Sequence, residues 1–130
     1  MSIYLLDTSV IIDALNDKRR RSELLAELAE QGHLLACCSI NVTEVYAGMR
    51  QEERAKTVEL LESLKFYPVT FLIARLAGLI KRDYARQGIT LAISDVTIAA
   101  VSLYNGLTLI TDNVKHYPIE DLSLYTLPAA

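Results

Sequence analysis

Ile3-Tyr4-Leu5-Leu6 is an uninterrupted apolar run, too short for a helix and without the alternation of a strand that wets one face. A strand buried on both faces of a parallel sheet has this pattern. His33–Cys38 and Leu107–Thr111 repeat it, and between the runs apolar residues recur every three to four positions. Parallel neighbours require long crossovers, and amphipathic helices supply them. The chain is therefore predicted to be α/β: three layers, a central mainly parallel sheet with helices on both faces.

The helical segments have visible ends. Ser22 is placed to cap a helix through Leu24, Leu25, Leu28 and Ala29 that stops at Gly32. Asn41–Met49 and Glu52–Leu64 follow, then a brief strand from Phe66 to Val69 halted by Pro68. The longest stripe runs from Phe71 through Ala74, Leu76, Ala77, Ile80 and Tyr84 to Gly88. Ser94–Tyr104 is apolar nearly all round, the mark of an enclosed helix, and Gly106 ends it. Leu122–Leu127 is expected at a sheet edge, where Pro128 is tolerated. Glu52–Leu64 and Phe71–Tyr84 together carry more apolar surface than one sheet face requires, which suits either a thick core or an interface.

A chain of 130 residues, 52% apolar, is one domain's worth, and residues 1–130 are assigned to a single unit. Thirteen Lys and Arg against sixteen Asp and Glu leave a net charge of −3, so no global positive field draws the protein to a polyanion. Met1–Leu6 meets Asp7 and Asp13 too early for a signal peptide, and Val69–Ile80 is short for a membrane span and carries Arg75. A soluble cytoplasmic protein without membrane contact is expected. Adjacent Cys37 and Cys38 have no disulfide geometry and no metal-ligand spacing, so they are assigned to packing.

In an open α/β sheet the working site lies beyond the carboxyl ends of the strands. Asp7 ends the first run, Asp95 opens the enclosed helix, Asp112 follows Leu107–Thr111, and Glu44 lies in the helix after the second run. Gathered together, such charges repel by roughly 4 kcal/mol per close pair at intermediate dielectric unless a cation intervenes. Oxygen-only ligands favour Mg²⁺ or Mn²⁺ over Zn²⁺, and a hydrated ion of this kind suits phosphodiester hydrolysis. Each residue also has a plain structural reading. Asn41-Val42-Thr43-Glu44 has capping-box spacing, Asp95 complements a helix dipole, and Asp7-Thr8-Ser9 and Asp112-Asn113 suit turns.

Leu5–Ile12, Ser39–Gly48, Ser94–Ala100 and Leu109–Asn113 occur in the order typical of PIN domains, and the whole chain resembles a VapC-type toxin. The resemblance implies a Mg²⁺- or Mn²⁺-dependent endoribonuclease, homodimeric and silenced by a VapB-like antitoxin. It implies that Asp7, Glu44 and Asp95 hold the metal, with Thr8, Thr111 and Asn113 supporting the pocket. The family's fourth acid is replaced here by His116, followed by Tyr117. Asp112 is the nearby carboxylate expected to substitute as a catalytic group, and one ion is expected at rest. His116 is either a proton donor to the scissile phosphate or a surface turn residue. A catalytically inactive PIN-fold binding module is the alternative function.

Lys18–Arg21 is the only dense cationic run. It is open to three readings: RNA phosphate contact, docking of an acidic antitoxin segment, or a solvated loop. Arg19, Arg20, Arg21 and Lys115 are the expected contacts to RNA or a partner.

Overall fold

The computed structural model describes residues 1–127. Five strands, β1 (Ile3–Leu6), β2 (Leu34–Cys38), β3 (Lys65–Tyr67), β4 (Thr108–Ile110) and β5 (Leu124–Tyr125), form one sheet in the order β3-β2-β1-β4-β5, every pair parallel. The helices are α1 (Thr8–Leu15), α2 (Arg21–Glu30), α3 (Ser39–Ala47), α4 (Arg54–Ser63), α5 (Phe71–Arg86) and α6 (Ile93–Asn105).

Side-chain alternation along the strands divides the core in two. Leu5, Cys38 and Leu109 face α5 and α6, packing with Ile73, Ala77, Val96, Ala99 and Ala100. Leu6, Cys37 and Ile110 face α1 to α4, packing with Val10, Ile11, Leu25, Leu28, Val45 and Leu61. This is the expected three-layer arrangement. It explains the adjacent cysteines, which are buried on opposite faces of the sheet. Burial pushes the Cys37 thiol up to about 11, with Cys38 adding to the effect, and burial likewise raises Cys38.

From β1 the chain moves outward to β2 and β3, then crosses back to β4 on the other side of β1. Connections leave this central pair toward opposite faces, so β1 and β4 flank the switch point where such sheets open a crevice.

Several ends differ from expectation. Thr8–Leu15 is a full helix where Asp7-Thr8-Ser9 suited a turn; Asp7 is its N-cap. Ser22 does not cap α2. The helix starts at Arg21 with Arg20 in the cap position, two residues before Ser22, and the Ser22 hydroxyl donates to Asp17 Oδ1 at 3.3 Å. Before it, Asp17, Arg19 and Arg20 all adopt left-handed backbone, at φ 53°, 55° and 57°. Such residues cost roughly 1–2 kcal/mol each. Among the described residues no helix is long and apolar enough to cross a membrane.

Candidate functional site

Asp7 leaves β1 with its backbone N–H still donating to the Ile110 carbonyl of β4, at 2.9 Å, so the sheet itself fixes its position. Its Oδ1 accepts the Thr8 N–H at 2.8 Å, and its Oδ2 accepts the Thr111 hydroxyl at 2.6 Å. Thr111 Oγ1 in turn accepts the Asn113 N–H at 2.9 Å. One donor on each oxygen locks the carboxylate plane. Asp7 is only 6% exposed, and no cation pairs with it among the described residues.

Glu44 reaches the same neighbourhood through a second chain. Thr8 Oγ1 donates to Glu44 Oε1 at 2.7 Å and accepts from Asn41 Nδ2 at 3.0 Å. Asn41 is fully buried, and its Oδ1 accepts the Cys38 N–H at 2.8 Å. The capping role thus falls to Asn41, because α3 begins at Ser39, and Glu44 is freed from it.

Asp95 stands in the first turn of α6, its side chain 23% exposed, with His116 Nδ1 at 3.6 Å from Oδ2. Burial holds its carboxyl above the usual range, and the Asp7 charge pushes the same way. Nearby His116 opposes them, Glu44 adds to the rise, and the Tyr117 hydroxyl lowers it slightly. Three carboxylates from three separate segments therefore share one field.

Tyr117 is the residue that sequence reasoning passed over. It is buried to 2%, and its hydroxyl makes no hydrogen bond of regular geometry although it faces Asp7 and Asp95. Burial, then the charges of Asp7 and Asp95, hold that hydroxyl well above its ordinary value, so it stays protonated. Asn41 was passed over as well. Its burial is a tertiary property that the sequence does not show, and the capping-box spacing that starts with it points to Glu44 instead.

Two expectations need correction. Asp112 does not join the cluster: Arg21 Nη2 donates to its Oδ1 at 2.6 Å and Arg19 Nη1 lies 3.6 Å away. Its charge is already matched, and it is absent from the groups acting on Asp95. Arg21, whose side chain is 3% exposed, is correspondingly unavailable to RNA or a partner. Arg19 is shared between Asp13 and Asp112, and Arg20 pairs with Glu23 at 2.6 Å. Of the expected cationic contacts, Lys115 is exposed and free of ion pairs among the described residues.

Among the described residues no three His, Cys, Asp or Glu side chains are gathered closely enough to ligate one ion as they stand. The chemistry of the donors nonetheless fits a hydrated hard cation. Asp7 is a buried anion without a counter-charge, Asp95 and Glu44 add negative potential, and Tyr117 turns a buried hydroxyl toward Asp7 and Asp95. Mg²⁺ keeps several waters and needs only one or two protein carboxylates, so no closed cage is required.

The PIN domain family model matches residues 4–121. Ribonuclease VapC19 of Mycobacterium tuberculosis is 31% identical over 115 residues, covering 88% of this chain and 92% of that protein. Ribonuclease VapC10 of the same organism is 34% identical over 117 residues, covering 90% and 87%. Among solved structures, VapBC2 from Rickettsia felis, crystallised with a DNA fragment from its promoter, has a chain that superposes with a TM-score of 0.85. Identity there is 22%, over 97% of this chain and 99% of that one. VapBC-1 from nontypeable Haemophilus influenzae gives a TM-score of 0.77 at 27% identity, covering 95% and 96%. The chain belongs to the PIN domain family, in its VapC ribonuclease branch.

Proposed function

We propose that this protein is a Mg²⁺- or Mn²⁺-dependent endoribonuclease, the toxin of a VapBC-type pair, with Asp7, Asp95 and Glu44 holding the ion. The observation that carries this reading is Asp7: buried, locked by Thr8 and Thr111, uncompensated by any cation among the described residues, and within the field of two further carboxylates. A buried carboxylate without a counter-charge is costly, and in a nuclease family a divalent ion is the natural one. When bound there, the ion would polarise a phosphate oxygen and lower the pKa of a coordinated water.

The chain's own residues do the rest. Thr111 and the Thr8 N–H keep both Asp7 oxygens in one plane, while Thr8 and Asn41 aim Glu44. Protonated Tyr117 supplies a fixed donor to the same pocket without adding negative charge. His116, at the rim, is placed to give a proton to the departing oxygen. A homodimer and a VapB-like antitoxin are part of the proposal.

The test is RNA cleavage by the purified chain. Cleavage is expected with Mg²⁺ or Mn²⁺, is expected to stop with EDTA, and should fall by about a hundredfold or more in Asp7→Asn. Cleavage that is indifferent to EDTA, or equal in the two proteins, refutes the metal-dependent reading. Folded protein that binds RNA and never cuts it points instead to a non-catalytic binding module.

A further inference from the structure

Next to Asp95 lies a cavity of about 290 Å³ lined by Ile89, Thr90, Leu91, Ala92, Lys115, His116 and Pro118, with Asp95 on its wall. We propose that this cavity receives the base of the nucleotide beside the cleaved phosphate and so sets where RNA is cut. The inference rests on the nuclease reading above and extends it to substrate choice.

Three observations support it. The size suits one base and no more, since the volume is at the lower limit of small-ligand sites. The chemistry is divided as a nucleotide requires: Ile89, Leu91, Ala92 and Pro118 offer apolar surface to a base face, Thr90 offers a hydroxyl, and exposed Lys115 offers an unpaired cation for a flanking phosphate. In a protein of net charge −3 whose arginine run is largely occupied by internal carboxylates, such a local cation is where a polyanion is drawn.

The walls are also fixed in advance. The Lys81 ammonium donates to the Leu91 carbonyl, and the Ile89 N–H donates to the Tyr84 carbonyl at 2.9 Å, so α5 holds one wall. The Glu120 N–H donates to the Tyr84 hydroxyl at 3.2 Å, and Ile119 is buried in the core, so the wall carrying Pro118 is tied to the same helix. A cavity with anchored walls loses little entropy when a ligand enters. Its placement makes the link to catalysis, because Asp95 is shared: a base seated here brings its own phosphate to the carboxylates.

The probes are four RNA homohexamers, each also made with one abasic position. In ion-free Asp7→Asn protein, the preferred hexamer should shift the NMR signals of the Ile89, Leu91 and Ala92 methyl groups. Ala92→Phe and Thr90→Trp each fill the cavity from exposed positions, and each should weaken that binding about tenfold, the size of one lost base contact. Lys115→Ala should reduce the salt slope of binding by about 0.7. In the ion-loaded wild type, the abasic hexamer should be cut about tenfold more slowly than the intact one, whereas a filled variant should cut both alike. NMR shifts confined to other surfaces, or unaltered cleavage positions in both filled variants, overturn the proposal. Methyl shifts at the cavity with no cleavage by the wild type sink the nuclease reading and leave the base site standing.

Discussion

At the scale of single residues, the acidic side chains of this domain sort by what compensates them. Asp112 is neutralised by Arg21, whereas Asp7 has only hydrogen bonds, and Asp95 is raised by burial and by like charge. A carboxyl raised in the folded state binds its proton more tightly there than in the unfolded chain. Stability from Asp95 is therefore present at low pH and is lost as pH rises from the ordinary carboxylate value through the higher folded one. In ion-free buffer Asp95→Asn is expected to raise the melting temperature above that window and to leave it nearly unchanged below, measured by calorimetry across pH. A lower melting temperature at neutral pH would contradict the assignment. Breaking the Arg21–Asp112 pair has the opposite sense: Arg21→Met should cost about 3 kcal/mol in urea unfolding, because it strands a carboxylate that is 10% exposed. Adding Asp112→Leu should recover much of that loss. Equal stability of the single variant and the wild type would mean the pair is idle.

Elements explain how residues distant in the chain reach one another. Each strand of the central pair ends in a residue that turns into the site: Leu6 hands over to Asp7, and Ile110 to Thr111. The enclosed helix α6 was recognisable from apolar residues on all sides, and its first turn carries Asp95 because its N-terminus is the open end. Helix α1 is hard to read from the sequence, since its eight residues begin at a Thr-Ser pair that suits a turn equally well, although its cap, the Thr8 N–H on Asp7, is local. Strand β2 carries its own test. Cys37 and Cys38 are 1% and 0% exposed and both thiols are raised, so alkylation by iodoacetamide at pH 8 should follow global unfolding. Rapid modification of the native protein would show that β2 opens locally.

For the whole molecule, α5 and the start of α6 expose several large apolar residues. Phe71 is 80% exposed, Leu72 44% and Leu79 42% on α5, with Ile93 at 69% on the start of α6, so part of the apolar surface of the Phe71–Tyr84 segment lies outside the core, whereas Glu52–Leu64 buries Leu61 and Leu64. The proposed homodimer would cover this face. Phe71→Asp should convert a dimer to a monomer in sedimentation equilibrium with little change in unfolding free energy at the level of the monomer. A wild-type chain that is monomeric at high micromolar concentration would remove the dimer from the proposal.

By itself, the sequence determined the layered α/β class, the buried runs and the ends at Gly106 and Gly32, because these depend on local periodicity and on residue type at a fixed place in order. Tertiary structure decided the pairings. That Asp112 belongs to Arg21, 91 residues away, that Glu44 answers to Thr8 across 36 residues, and that Tyr117 turns its hydroxyl toward Asp7 and Asp95 all depend on contacts between segments far apart in the chain. No periodicity along a chain encodes which charge will meet which, since that is settled only when burial forces each polar atom to find a partner or go without one.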